Sequence, residues 1–157
     1  MRFCSEPGAD RGNIKLSDKY HSARDELRRT AMEKYSWIDS YLTAKPGVTK
    51  DFKAEWGWDR YMTGGKLFAA LMHPSDKYDP LYAGKDLISL KCDPLYAKLL
   101  REEHSEILPG FYMDKRTWNS VDLEGSLPDS LLRSMIDDSY ALVFSRLTKK
   151  LQKEILG

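Results

Sequence analysis

The chain has 157 residues, of which 41% are hydrophobic and 31% are charged. This composition is typical of one soluble globular domain and excludes an intrinsically disordered chain. The formal net charge of +1 excludes a molecule that attracts nucleic acid through its overall charge, so any basic binding surface must be local.

Features that would place the protein outside the cytoplasm are missing from the sequence. No apolar run approaches the ~20 residues that cross a bilayer. Residues 1–15 lack the apolar segment of a secretory signal. The two cysteines, Cys4 and Cys92, are far apart and have no metal-ligand spacing. We therefore expect a cytoplasmic protein with reduced thiols.

The first third of the chain predicts a tail followed by helical structure. Residues 1–16 are polar and show no hydrophobic period, which predicts a flexible N-terminal tail before a single domain at 17–157. From Ser17, apolar residues recur every three or four positions until Pro46 stops the helix. These residues are Tyr20, Ala23, Leu27, Ala31, Tyr35, Ile38 and Leu42. The spacing predicts either one long helix or two helices with a bend near Thr30.

The middle of the chain predicts β-structure. Strand-forming residues flank Gly64-Gly65, a pair typical of a hairpin turn. The expected strands are Asp51–Trp58, Arg60–Met62, Lys66–His73 and Asp86–Lys91. Proline, aspartate and glycine residues predict a loop over 73–85.

A short helix is predicted next, with Asp93 as its N-cap and Pro94 at its first position. Its expected buried stripe is Tyr96, Leu99 and Leu100, and it should end near His104. Two extended segments follow, at 107–112 and 116–123. The second has the alternating pattern of a half-buried strand.

The C-terminal region predicts one last helix. Ser126 is its expected N-cap, with Asp129 three residues on. Its apolar face is Leu132, Ile136, Tyr140, Val143, Leu147 and Leu151. The order of helix, strands, short helix, strands and helix predicts an α+β fold, with a single antiparallel sheet and the N- and C-terminal helices packed on one face.

Known catalytic and cofactor motifs are not found in the sequence. It has no nucleophile elbow, zinc-binding helix, phosphate loop or dinucleotide-binding glycine pattern. His21, His73 and His104 are widely separated and are interpreted as surface or loop residues. Cys92 is interpreted as a small buried thiol. We therefore expect a protein that is not an enzyme and has no cofactor.

Several motifs resemble the MmcQ/YjbR family of small bacterial proteins. Lys115 to Asp129 follows the pattern K-x-x-W-N-x-V-x-L-x-G-S-L-P-D. Further matching segments are Leu90–Pro94, Pro109-Gly110, Lys45–Val48 and the helix around Asp137–Tyr140. Together they cover roughly 31–155 in the family's order. The resemblance implies a frataxin/CyaY-like α+β fold and a nucleic-acid ligand, since members are often labelled DNA-binding.

A frataxin-like fold also raises the question of iron. Iron delivery on such a fold depends on a strongly acidic first helix, because hard cations need clustered carboxylates. Here the first helix mixes acids and bases, for example Arg24, Asp25, Glu26, Arg28, Arg29 and Glu33. We therefore expect no metal site.

One set of residues combines positive charge, a large aromatic ring and a side-chain amide. The candidate site consists of Lys66, Lys91, Lys115, Arg116, Trp118 and Asn119. Such residues can neutralise phosphates, stack on a base and contact a base edge. The alternative is a purely structural set, with Trp118 in the core, Asn119 stabilising a turn and solvated lysines.

The leading hypothesis is a monomeric, non-enzymatic binding protein with DNA as a weak partner. The alternative is a module that binds another protein or a small molecule and has no nucleic-acid role. A continuous basic face around Lys91, Lys115 and Arg116 would favour nucleic acid, whereas an apolar pocket would favour the alternative.

Overall fold

The computed structural model describes residues 16–157, apart from the side chains of residues 16–21, 24, 27 and 31. The predicted tail therefore lies almost wholly outside the described residues, as do the side chains of Tyr20, His21, Leu27 and Ala31. The helices are α1 (Leu16–Lys34), α2 (Ile38–Thr43), α3 (Pro94–Glu103), α4 (Asp129–Ser145) and α5 (Lys149–Leu156). The strands are β1 (Val48–Lys53), β2 (Trp58–Thr63), β3 (Lys66–Met72), β4 (Leu87–Lys91), β5 (Ile107–Pro109) and β6 (Trp118–Asp122).

The strands form one antiparallel sheet in the order β1-β2-β3-β4-β6-β5. The strand that begins at Trp118 lies beside β4, as predicted. Helix α4 packs on β3 and β4, α2 on β1, and α3 on β5 and β6. Their apolar residues share one core cluster with one face of the sheet. The predicted α+β class is confirmed, and the likeness to frataxin stays a prediction.

The other face of the sheet is covered by loops. Leu87 belongs to a second core cluster, whereas its neighbour Ile88 belongs to the cluster under the helices. Because neighbouring side chains on a strand point to opposite faces, the two clusters lie on opposite sides of the sheet. Tyr82 and Phe111, from two separate loops, complete the second cluster. Strand β6 is therefore buried on both faces, which corrects the half-buried strand that its alternating residues predicted.

Two predicted element boundaries in the first half of the chain were wrong. The N-terminal helix is interrupted at 35–37 and not near Thr30. Tyr35 is buried there and its hydroxyl donates to the Leu127 carbonyl at 3.2 Å, so a tertiary contact sets the break. The predicted strand Asp51–Trp58 is divided by a turn at 54–57, where Gly57 has φ +71°. Glycine adopts this left-handed conformation without a Cβ clash.

The later helices also differ from their predicted patterns. In α3 the buried residues are Ala97 and Leu100, whereas Tyr96 and Leu99 are 39% and 47% exposed. Helix α3 lies against the strand pair β5-β6 at one edge of the sheet, which offers only a narrow surface to cover. The Asp93 cap is confirmed, since its carboxylate accepts from the backbone N–H groups of Leu95 and Tyr96.

The predicted C-terminal helix is divided in two. Residues 146–148 separate α4 from α5, and the Thr148 side chain caps α5 by accepting from the Leu151 N–H. Ser126 does not cap α4. Its hydroxyl and backbone N–H instead donate to the Glu106 carboxylate, and α4 begins after Pro128.

In the described part of residues 16–157, no helix is long and apolar enough to cross a membrane. No group of three or more His, Cys, Asp or Glu side chains there is arranged to hold a metal ion.

Candidate functional site

Candidate residues occur at two ends of the central sheet. We call the region of Lys91, Lys115, Arg116, Trp118 and Asn119 the Trp118 end. We call the opposite end, where β4 begins at Leu87 and β3 ends at Met72, the cleft end. At about 3.4 Å per residue, the four steps from Leu87 to Lys91 along β4 separate the two ends by roughly 14 Å.

Lys91 and Trp118 come together at the Trp118 end. They are directly paired across β4 and β6, and the Lys91 Nζ lies 5.6 Å from the centroid of the Trp118 ring. Both residues are half-buried. A lysine over an indole face makes a favourable cation–π contact. Trp118 is thus part of a packed surface and is neither a fully buried core residue nor a free platform.

Asn119 is fully buried, which corrects the prediction that its amide could contact a base edge. Its Oδ1 accepts from Arg101 Nη1 at 2.7 Å, and its Nδ2 donates to the Ala97 carbonyl at 3.4 Å. Its side-chain amide joins β6 to α3. It is not accessible to a base edge in this structure.

The remaining predicted cations are dispersed. Lys115 Nζ donates to the Gly110 carbonyl at 2.8 Å, and the Arg116 guanidinium pairs with Asp114 at 3.2 Å. Hydrogen bonds from the Arg116 backbone and side chain lower the pKa of the Asp114 carboxyl, so an ionised acid lies within the predicted basic set. Lys66 is the first residue of β3. Strand β4 lies between β3 and β6, the strand that carries Trp118 and Asn119.

The other residues of the sequence motifs also make structural contacts. A Cβ added at Gly110 would lie 2.7 Å from the Trp118 Cβ, so glycine permits the close approach of that loop to β6. The Ser139 hydroxyl donates to the Phe68 carbonyl and accepts from the Lys91 N–H, which fixes α4 to β3 and β4. Tyr140 donates to the Pro46 carbonyl. The motifs therefore attach helices and loops to the sheet.

The cleft end contains a cleft of about 350 Å³. Helix α1 and the segment before α2 form one wall, and the ends of β2, β3 and β4 form the other. Its apolar lining is Met32, Tyr35, Ile38, Leu71, Met72, Leu87 and Leu123. Its polar lining is Arg28, Ser36, Asp39, Asp59, His73 and Asp86.

Asp86 is the centre of a hydrogen-bond network at the rim of this cleft. Arg28 Nε donates to both carboxylate oxygens, at 3.2 and 3.0 Å, and His73 Nδ1 lies 2.9 Å from Oδ1. The network ties α1 to the start of β4. The histidine–carboxylate pair could not be predicted from the sequence, because its partners are 13 residues apart and meet only through the fold of the loop between them.

The two other acids on the cleft wall differ in their partners. Asp39 Oδ1 accepts from Lys50 Nζ at 2.7 Å and from the Tyr61 hydroxyl at 2.6 Å, and these bonds lower the pKa of the Asp39 carboxyl. Burial, with Asp39 and Asp59 nearby, raises the pKa of Tyr61 far above its ordinary value. Within residues 16–157, no ion pair is formed by Asp59. It lies opposite Leu71 in the β2-β3 register.

A family model, YjbR, matches residues 43–142. The chain belongs to the YjbR family. It is 31% identical over 113 residues to the uncharacterized protein YjbR of Escherichia coli K12, an alignment that covers 72% of this chain and 89% of that protein. It is 29% identical over 119 residues to the uncharacterized protein YyaQ of Bacillus subtilis, covering 67% and 93%.

Solved structures support the same relationship. A crystal structure of a Deinococcus radiodurans protein has a TM-score of 0.63 at 27% identity and covers 75% of this chain and 84% of that one. A crystal structure of a Pseudomonas syringae protein has a TM-score of 0.52 at 25% identity, covering 76% and 97%. The YjbR match includes the whole sheet but begins after the α1–α2 wall of the cleft.

Proposed function

We propose that this YjbR-family protein binds a small organic molecule in the cleft. The supporting observation is a volume of about 350 Å³ with an apolar lining and polar groups at its rim. Small-molecule sites usually have volumes of about 300–1,000 Å³ and combine these two features. Apolar side chains supply most of the binding energy in such a site, and the polar groups orient the ligand.

The charges at the Trp118 end favour this function over a nucleic-acid site. A basic face for DNA needs cations that are free to contact phosphates. Arg116 is paired with Asp114, and the Lys115 ammonium is bound to the Gly110 carbonyl. An apolar pocket at the other end of the sheet points instead to a small-molecule ligand.

A fragment screen followed by ligand-observed NMR titration tests the proposal. Met32 is 61% exposed on α1 and lines the cleft, so Met32→Trp should obstruct it without disturbing the core. Leu95→Trp is the matched control, because Leu95 is 82% exposed on α3 and does not line the cleft. We expect Met32→Trp to weaken fragment binding by about tenfold or more, a free-energy change of ~1.4 kcal/mol. Equal effects of the two variants, or no fragment binding, would overturn the proposal.

DNA binding at the Trp118 end is a second proposal, supported by the Lys91 ammonium above the Trp118 ring. Titrations of random-sequence duplex and single-stranded DNA over a salt series test it. This binding requires Lys115 and Arg116 to exchange Gly110 and Asp114 for phosphates. Replacing both by alanine should then flatten the slope of log affinity against log salt by roughly two units, since each phosphate contact contributes about 0.9. Lys98→Ala, on the exposed face of α3, is the control. No binding at low salt by wild-type protein would refute this second proposal.

A further inference from the structure

Negative charges outnumber positive charges in and around the cleft. Asp39, Asp59 and Asp86 line it, and each is a carboxylate. Arg28 pairs with Asp86, and Lys50 pairs with Asp39 from outside the lining. His73 also contacts Asp86. With His73 neutral, the groups in and around the cleft carry one net negative charge, and Asp59 is the carboxylate without an ion-pair partner among the described residues.

Asp59 lies next to the apolar part of the cleft. It is directly opposite Leu71 across β2 and β3, and opposed residues of an antiparallel pair project from the same face. Leu71 and Asp59 both line the cleft, and Asp59 is half-buried. A carboxylate that is partly removed from water beside apolar surface favours the approach of a positive charge.

The arginine at the rim does not make the cleft suitable for an anion. Arg28 Nε already donates to both oxygens of Asp86. An anionic ligand would have to compete with that pair and would also lie close to Asp59. A cationic ligand meets a carboxylate that forms no ion pair with a described residue, since the nearby Lys50 is already paired with Asp39.

We propose that the ligand of the cleft is an organic amine that places its ammonium group against Asp59 and its apolar body against Leu71. This inference rests on the proposed small-molecule function. It adds the chemical class of the ligand and assigns Asp59 as the residue that selects it.

Three probes with similar apolar bodies and different charges test the inference on the full chain. They are 2-phenylethylammonium, 2-phenylethanol and 3-phenylpropionate, titrated into wild-type protein by ligand-observed NMR. We expect the ammonium probe to bind about tenfold more tightly than the alcohol, and the carboxylate more weakly than both. This charge series requires no variant, so it tests the inference even if a substitution at Asp59 impairs folding.

The Asp59→Asn variant then tests the source of the preference. It keeps the size of the side chain and removes its charge, so the ammonium and alcohol probes should bind with nearly equal affinity. Asp138→Asn is the matched control, because Asp138 is exposed on α4 and does not line the cleft. This control should retain the wild-type preference.

The results that would contradict the amine inference differ from those that would contradict the small-molecule function. If all three probes bind equally and Met32→Trp weakens all of them, the small-molecule function stands and the amine inference is overturned. The inference also fails if Asp59→Asn keeps the full ammonium preference. If none of the probes and no fragment binds, the proposed function fails and the inference fails with it.

Discussion

The two ends of the sheet use polar side chains in opposite ways. At the Trp118 end, the Asn119 amide and the Lys115 ammonium are bound to Arg101, Ala97 and Gly110 within the protein. At the cleft end, Asp59 and Met32 line an open volume of about 350 Å³. The Trp118 end contains Lys115, Trp118 and Asn119 of the motif that carried the family resemblance, whereas Leu123 of the same motif lines the cleft.

This difference shows that a sequence motif can report structural constraint and not ligand contact. A buried amide must find hydrogen-bond partners, so a residue such as Asn119 tolerates few substitutions even without a ligand. A ligand cleft has a looser requirement, because several apolar residues can form a similar wall. The α1–α2 wall lies before the residues that the YjbR family model matches.

The strongest test of a structural role at the Trp118 end is Asn119→Ala. We expect it to lower the free energy of unfolding by about 2–4 kcal/mol, because it leaves buried partners on Arg101 and Ala97 unsatisfied. Urea denaturation measures this change. Arg116→Ala should change the same quantity by less than about 0.5 kcal/mol, since its side chain is 83% exposed. Comparable effects of the two variants would contradict the structural interpretation of Asn119.

Cys92, which follows Lys91, tests how tightly this end is packed. Burial, aided by Asp138 and Asp93, raises the pKa of the Cys92 thiol to about 11 from an ordinary 9.0. At pH 8 its thiolate fraction should therefore be about a hundredfold lower in the folded than in the unfolded protein. Iodoacetamide labelling in a Cys4→Ser background should be slower by at least that factor.

The same pKa shift has a defined effect on stability. Between pH 9.0 and about 11 the unfolded chain releases the thiol proton while the folded protein retains it, so stability falls as pH rises through this range. The decrease in the free energy of unfolding over this pH range should be smaller in Cys92→Ala than in wild-type protein. The difference between the two proteins gives the contribution of the Cys92 thiol. Equal labelling of native and urea-unfolded protein would show that this end is not closed to solvent.

At the cleft end, Asp86→Asn should have a smaller effect than Asn119→Ala. We expect a loss of about 1–2 kcal/mol in the free energy of unfolding, because the charge-assisted bonds to Arg28 and His73 are weakened. Asp114→Asn is the matched control at the Trp118 end, where the Arg116 pair is exposed to solvent and should contribute less to stability. A larger loss of unfolding free energy in Asp114→Asn than in Asp86→Asn would contradict this expectation.

The smallest expected effect concerns the motif around Asp137–Tyr140. Tyr140→Phe removes the hydrogen bond from the hydroxyl to the Pro46 carbonyl, and we expect a loss of about 1 kcal/mol. Tyr96→Phe is the control, because Tyr96 is 39% exposed and its hydroxyl has no hydrogen-bond partner among the described residues. Thermal unfolding should separate the two variants by a few degrees. An unchanged thermal midpoint in Tyr140→Phe would show that the Tyr140 hydrogen bond does not stabilise the fold.

Short-range chemistry made much of the fold predictable. Asp93 caps α3 because a carboxylate can reach the N–H groups two and three residues later. Gly64-Gly65 forms the predicted hairpin turn because both residues adopt positive φ, at 57° and 76°. The antiparallel sheet followed from the order of such elements, and the family followed from its motifs. These properties depend on residues that are neighbours along the chain.

The predicted site was less successful, because exposure depends on distant segments. Trp118 and Lys91 do meet, since pairing of their strands brings them together. Asn119 is buried because α3, twenty residues earlier, covers its face of β6. The periodicity of one strand cannot show whether its second face is open to water.

The sequence by itself determined the family, the α+β class and the locally encoded turns and caps. Only the tertiary structure decided which polar residues are bound within the protein and which face an open cleft. Asp59 and Asp86 are both aspartates near strand ends, and no local pattern distinguishes them. They differ because α1 places Arg28 against Asp86, while Asp59 forms no ion pair with a described residue and the nearby Lys50 pairs with Asp39 instead. Long-range packing sets that difference in charge environment.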